Sequence, residues 1–214
     1  MNARLPLAQQ LALWADRLRH MSAAGLTFCK NSYDLENYER IQTIALAMLA
    51  RANGQTPAEL EPLCQAIMTR PTPISVGDGA VIDENGRILL IRRADNRCWA
   101  MPGGGLDVGE TPAEGVVREI REETGFETEV RAFVGVHDSR YTGGKTLFHL
   151  YHFLFLCTPL TAEPTHSLCH PQEVLETGWF AEDALPPDID LGHITRIPEA
   201  YRIWHGAERP YFDA

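Results

Sequence analysis

Residues 103–126 read "GGGLDVGETPAEGVVREIREETGF", a glycine run leading into a segment that carries Glu110, Glu114, Glu119, Glu122 and Glu123. Thr111 and Glu114 stand at the offset of a capping box, Pro112 suits a first helical turn and Gly125 a stop, so a helix is expected over about 112–124. On such a helix Glu119, Glu122 and Glu123 fall at i, i+3 and i+4 and share one face. Like charges on adjacent turns repel by a few tenths of a kcal/mol per exposed pair, so the pattern asks for an offsetting cation. Hard divalent ions meet that need, because they take oxygen ligands and are commonly shared between carboxylates and phosphates. The glycines would let backbone approach such an ion or a phosphate with no Cβ in the way. A solvated acidic helix face is the ordinary alternative for a charge run.

Working outward, "SVGDGAVIDENGRILLIRR" at 75–93 alternates into two apolar runs around "ENG". It reads as a β-hairpin with Asn85-Gly86 supplying the positive backbone angles. Further strands are expected at "VRAFVGV", "LFHLYHFLFLC" and "LETGWF". A last helix is expected in "ITRIPEAYRIW", kinked by Pro198 or starting near it. Upstream the period changes from two to 3.6. Leu7, Leu11, Trp14, Leu18 and Met21 mark one face of a helix that should stop by Gly25. A second helix follows with Asp34 as N-cap and Gly54 as stop, and a third starts at the Thr56, Pro57, Glu59 signature. "TRPTP" at 69–73 is a stiff extended linker, which places a domain boundary between a helical part, 1–70, and an α/β part, 71–214.

Composition agrees with a folded globular chain: apolar residues are 44% and charged residues 22%, which excludes disorder, collagen-like repeats and coiled coil. The formal charge is −10, and residues 71–214 hold 12 Lys/Arg against 23 Asp/Glu. Such a surface repels a phosphate backbone or an anionic membrane unless metal ions reverse its local sign, so long nucleic acid is not an expected partner. Five scattered cysteines without a CxxC pair fit reduced thiols. With no secretory h-region and no span-length apolar run, a cytoplasmic location is expected.

The acidic segment resembles the Nudix box, G-x5-E-x7-R-E-U-x-E-E-x-G-U with U apolar. Gly104, Glu110, Arg118, Glu119, Ile120, Glu122, Glu123, Gly125 and Phe126 match every position. Seven fixed residues at average usage would coincide by chance on the order of 10⁻⁹ per start. The resemblance implies an α/β/α sandwich around a mixed sheet over about 74–205. "LALWADRLRHMSAAGLTF" followed by "SYDLENYERI" is similar to the helical N-terminal extension of one Nudix subgroup, which hydrolyses nucleoside diphosphates linked to another moiety.

What the resemblance implies for the site is a Mg²⁺-dependent (or Mn²⁺-dependent) hydrolysis of a diphosphate, with ADP-ribose or a CDP-alcohol such as CDP-choline as nucleotide-type substrates. Glu119, Glu122 and Glu123 would be metal ligands, joined by the Gly103 carbonyl, while Arg118 would orient a glutamate, Glu110 being its best partner. Glu122 is one candidate for the general base, and Glu173 or Glu176 before "GWF" are others, with ordinary loop charge the equal alternative for the last two. Arg92 and Arg93 are candidates to hold phosphates or to be surface charge. Trp99, Tyr141 and Phe148 are candidates to stack on a base, with Trp99 and Phe148 equally suited to the core. "HSLCH" lacks zinc spacing and reads as loop. The N-terminal helices are either a dimerisation element, giving a homodimer, or a lid over the site. Two other functions stay open: removal of phosphates from an RNA 5′ end or a nucleoside triphosphate, and a non-catalytic nucleotide-sensing regulator, though no box residue is lost.

Overall fold

The computed structural model describes residues 6–68, 73–143, 149–169 and 171–213. They divide into two compact units, Met1–Pro71 with Asp107–Gly109, and Thr72–Leu106 with Glu110–Ala214. In the first, α1 (Leu7–Phe28), α2 (Ser32–Ala52) and α3 (Pro57–Met68) follow one another. Two local readings need adjusting, and a third holds. Helix α1 does not stop at Gly25 but runs three residues past it, because a Cβ there would stand 2.4 Å from the Tyr38 ring: this glycine serves the approach of α2, not a cap. Asn31, not Asp34, caps α2, its side chain accepting from Tyr33 N–H at 2.9 Å. The capping box of α3 forms as expected, with Thr56 N–H donating to Glu59 at 2.7 Å. Linker residues 69–72 and Phe148 and His170 lie outside the described residues.

The second unit is built on two sheets. The larger has the order β4 (Gly103–Gly105), β1 (Ile74–Val81), β6 (Leu150–Pro159), β5 (Thr128–Asp138), β8 (Tyr211–Phe212). It is mixed, since β1 runs parallel to β6 and β5 parallel to β8. The smaller has the order β3 (Trp99–Ala100), β2 (Arg87–Arg93), β7 (Val174–Ala181) and is antiparallel.

The expected hairpin of 75–93 is therefore corrected. Its tight turn exists, with Asp83 Oδ1 accepting from the N–H groups of Asn85 and Arg87 at 2.9 and 2.8 Å. Only Gly86 of the pair has positive φ, +74°. Past a single bridge, Ile82 to Ile88, the two strands part into different sheets, so no ladder joins them.

Apolar residues on alternating positions of β1 feed both faces of the large sheet. Val81 packs with Val116, Ile120 and Phe126 on the side of α4 (Pro112–Thr124). Ala80 packs with Leu154, Ile197 and Tyr201 on the side of α6 (Ile197–Trp204), which follows the short α5 (Leu191–Ile194). Each fully buried aliphatic side chain is worth about 1.5–3 kcal/mol, which seats α4 firmly through Val116 and Ile120. The result is the expected α/β/α sandwich. Pro198 lies in the first turn of α6, where a missing N–H costs nothing.

Candidate active site

Helix α4 is fixed by its own chain. Thr111 and Glu114 close the capping box, with Thr111 N–H donating to the Glu114 carboxylate at 2.8 Å, and Gly125 ends the helix in the left-handed region. Gly77 and Gly79 let α4 lie flush on β1: a Cβ at either would stand about as close as 2.6 Å to Val116 or 2.5 Å to Ile120. With that face buried, the acidic face turns toward the β4 turn.

Arg118 organises the carboxylates. Its Nε and one terminal nitrogen grip Glu110 at 3.1 and 2.8 Å, and the other terminal nitrogen reaches Glu119 at 2.8 Å and Glu122 at 3.4 Å. The Gly105 carbonyl accepts a further bond at 3.1 Å. Bonding to Glu110, first of all, raises the guanidinium pKa above its ordinary value. Burial pushes the Glu119 carboxyl up, against the hydrogen bond from Arg118. Glu123 stands apart from Arg118 and accepts from the Gly103 N–H at 2.8 Å. Burial outweighs that bond and pushes the Glu123 carboxyl up to about 8, with Glu173 adding to the rise and Arg93 opposing it.

Among the described residues no three His, Cys, Asp or Glu side chains are gathered closely enough to hold a metal ion as they stand. The reason is visible in the contacts: Glu119 and Glu122 lean on a guanidinium and Glu123 on a backbone N–H. The donor set nonetheless suits a hard divalent cation, being all carboxylate oxygen. The turn fits too, because a Cβ on Gly104 would stand 2.8 Å from the Glu119 carboxyl. Two half-buried acids with raised pKa values are what a group short of positive charge looks like.

The remaining candidates fall into two groups. Glu173, exposed before β7, and Arg93, at the end of β2, both act electrostatically on Glu123, so they border the carboxylate face. Arg93 also grips Asp95 at 2.6 Å. Arg92 is engaged elsewhere, with Glu176 at 2.9 Å and the Arg97 carbonyl at 3.0 Å, which ties up Glu176 as well. Trp99 is a core residue in edge contact with Phe180. Tyr141 is 67% exposed and lines a cavity of about 310 Å³ with Tyr151, Phe212 and Arg140, whose guanidinium lies 5.4 Å from the Tyr141 ring centre. In the "HSLCH" loop His166 bonds Glu127 at 2.6 Å.

A polar cluster beneath the turn was not anticipated. Asp78, on the β1 face away from α4, meets the Arg196 guanidinium and His152 Nδ1, the latter at 2.8 Å. Burial alone would raise the Asp78 carboxyl, but Arg196 and then His152 outweigh it and hold it well below the usual range. His193 accepts from Met101 N–H at 3.3 Å, and burial with Arg196 nearby keeps its imidazole neutral well below its usual pKa. His137 is held down to about 4 by burial and Arg196, and stacks on Tyr211 with ring centres 4.4 Å apart. The available signal was Asp78 itself, the one charge inside an otherwise uncharged strand.

Comparison with known proteins agrees with this geometry. The NUDIX domain family matches residues 73–199, and a family described as the UDP-X-like, N-terminal oligomerisation domain matches residues 9–64. The Bacillus subtilis (strain 168) protein YjhB, which carries an ADP-ribose pyrophosphatase name, is 34% identical over 174 residues, 81% of either chain. The crystal structure of a UDP-X diphosphatase superposes with a TM-score of 0.60 at 26% identity, covering 96% of this chain and 99% of that one. That of an ADP-ribose pyrophosphatase from Streptococcus suis 89-1591 gives 0.54 at 25% identity, covering 65% and 97%. The fold and the site define a hydrolase of pyrophosphate bonds. This chain belongs to the Nudix family.

Proposed function

We propose that this protein hydrolyses the diphosphate of a nucleoside diphosphate linked to another moiety, of the ADP-ribose or CDP-choline type, to a nucleoside monophosphate and a phosphorylated second product. The observation that carries the reading is the close seating of the Gly103–Gly104 turn on Glu119 and Glu123, an oxygen-rich face with no room for a side chain. The names of the relatives support the substrate class. Glu119, Glu122 and Glu123, with Gly103, would hold Mg²⁺ or Mn²⁺, which supplies charge neutralisation at the phosphates and a more acidic water. Arg118 keeps Glu119 and Glu122 oriented from its anchor on Glu110. Glu122 or Glu173 takes the proton from the attacking water. Arg93 meets the phosphates, and the ring of Tyr141 meets the base.

Strand spacing supports a single substrate spanning the sheet in this reading. The row Gly105, Val76, His152, His137 crosses four strands, three spacings or about 14 Å, the order of the reach from a nucleobase to its diphosphate. Tyr151 alternates with His152, which bonds Asp78, so Tyr151 and α4 share a face of the sheet.

The helical part, residues 1–70, and the Nudix part, residues 71–214, act as separate domains in this reading, and the first makes a homodimer. Leu7, Trp14, Met21 and Phe28 recur every seventh residue on α1 and are 75, 50, 65 and 67% exposed, a stripe that a second copy would cover. Sedimentation of Trp14→Ala/Phe28→Ala should show monomer where the parent shows dimer; a monomeric parent would contradict the assembly. The activity is tested by chromatography of products from ADP-ribose, CDP-choline, nucleoside triphosphates and capped RNA with Mg²⁺ or Mn²⁺. A kcat/KM highest for the linked diphosphates is expected, and a preference for triphosphates or RNA would overturn the substrate class.

A further inference from the structure

The buried cluster beneath the turn is built at a cost that stability alone does not explain. Asp78 and Arg196 are 2 and 1% exposed, and a buried ion pair is commonly no more stable than an apolar pair of the same volume. Its position is more informative. Asp78 stands opposite Gly103 in the β1–β4 ladder, so closely that a Cβ on Gly103 would lie 2.8 Å from the Asp78 Cα and 2.2 Å from the Gly77 carbonyl oxygen. The backbone leading into Gly103 is anchored to the same group: the Pro102 carbonyl accepts from Gly79 N–H at 2.9 Å, and Met101 N–H donates to His193. Arg196 joins the pieces, donating from Nε to the Gly192 carbonyl at 2.6 Å and from a terminal nitrogen to Asp78. On the other side of this strand Gly103 N–H holds Glu123.

We infer that the Asp78–Arg196 pair is a positioning element, which fixes the height of the Gly103 backbone and through it the placing of Glu123 against the rest of the carboxylate face. This rests on the reading that Glu123 belongs to the hydrolytic site. The pair touches neither substrate nor ion; it acts through β4. Removing such a support from behind a ligand costs about 10–100-fold in metal affinity or activity.

The test is the full-length double variant Asp78→Asn/Arg196→Met, which removes both charges while the new amide oxygen still accepts from His152. Cooperative melting establishes that it folds. Mn²⁺ binding, followed by water proton relaxation without substrate, is expected to weaken about 10-fold or more, and kcat to fall by about 10–100-fold with KM within threefold. A merely structural role would leave both at parent values in the folded variant, and that result overturns the inference. Should the double variant not fold, Arg196→Lys takes its place: the ammonium keeps the charge but cannot fork between Gly192 and Asp78, so Mn²⁺ affinity and kcat fall together by a smaller factor. Parent values there overturn it equally. A parent protein inactive on every linked diphosphate would sink the functional reading instead, and the Mn²⁺ titration would still decide the positioning.

Discussion

Two arginines, Arg118 and Arg196, each gather carboxylate charge, and they do it in opposite surroundings. Arg118 sits at the rim with its side chain 23% exposed, sharing itself among Glu110, Glu119, Glu122 and a carbonyl. Arg196 is 1% exposed and holds one carboxylate, Asp78, from one fixed direction. A half-wet network can trade one cation for another, because water and alternative partners are at hand. A buried pair cannot, since either charge left alone carries the whole desolvation penalty. The difference separates the part of this molecule suited to exchanging ions from the part suited to staying put.

Four measurements would break or sharpen that contrast. Glu122→Gln in the rim network should lower kcat by about 10²–10⁴-fold while leaving the melting temperature near the parent's; near-parent turnover would remove Glu122 from the chemistry. Arg196→Met alone leaves Asp78 buried without its cation and should cost about 3–5 kcal/mol in urea unfolding. A loss below about 1 kcal/mol would mean water already reaches that cluster.

The histidines of the buried cluster give a smaller, pH-dependent effect. His137 and His193 have folded pKa values below the unfolded 6.5, His137 at about 4, so the unfolded chain binds more protons in that interval. Their contribution is complete above pH 6.5 and is lost as pH falls below it, for His137 down to about 4, at up to about 1.4 kcal/mol per unit for each group. Glu123, raised to about 8, has the opposite sign between pH 8 and 4.5, and the difference between parent and His137→Phe cancels it. The parent's stability relative to His137→Phe should fall on acidification, and a flat relative stability would place His137 in contact with water. Smallest of all, Arg118→Met should cost about 1 kcal/mol without metal, a loss that added Mg²⁺ recovers. Mg²⁺ should recover nothing for Arg196→Met, and equal recovery in both variants would erase the distinction.

What the sequence disclosed follows the range of the interactions involved. Helix α4 was readable to the residue, since Thr111, Pro112, Glu114 and Gly125 act within a turn of themselves. The pairing of Arg118 with Glu110 was readable because the loop between them is short. Strand positions came through as alternation, but their partners did not: the 75–93 segment carries every local mark of a hairpin, and only the sheets it joins decide that β1 goes to β6 and β2 to β7. The Asp78–Arg196 pair spans 118 residues, and nothing near either residue announces the other. Arg92 and Arg93 look alike as neighbours, yet one is spent on Glu176 and the other borders Glu123.

Gly25 carries a last consequence. Inside a helix a glycine forfeits roughly 1 kcal/mol against alanine, and α1 accepts that weakness at the place where the Tyr38 ring rests on its bare backbone. The gap between the first two helices is thus gauged by a hydrogen atom. One added methyl at residue 25 would wedge them apart, and the exposed heptad stripe of α1 would tilt with it.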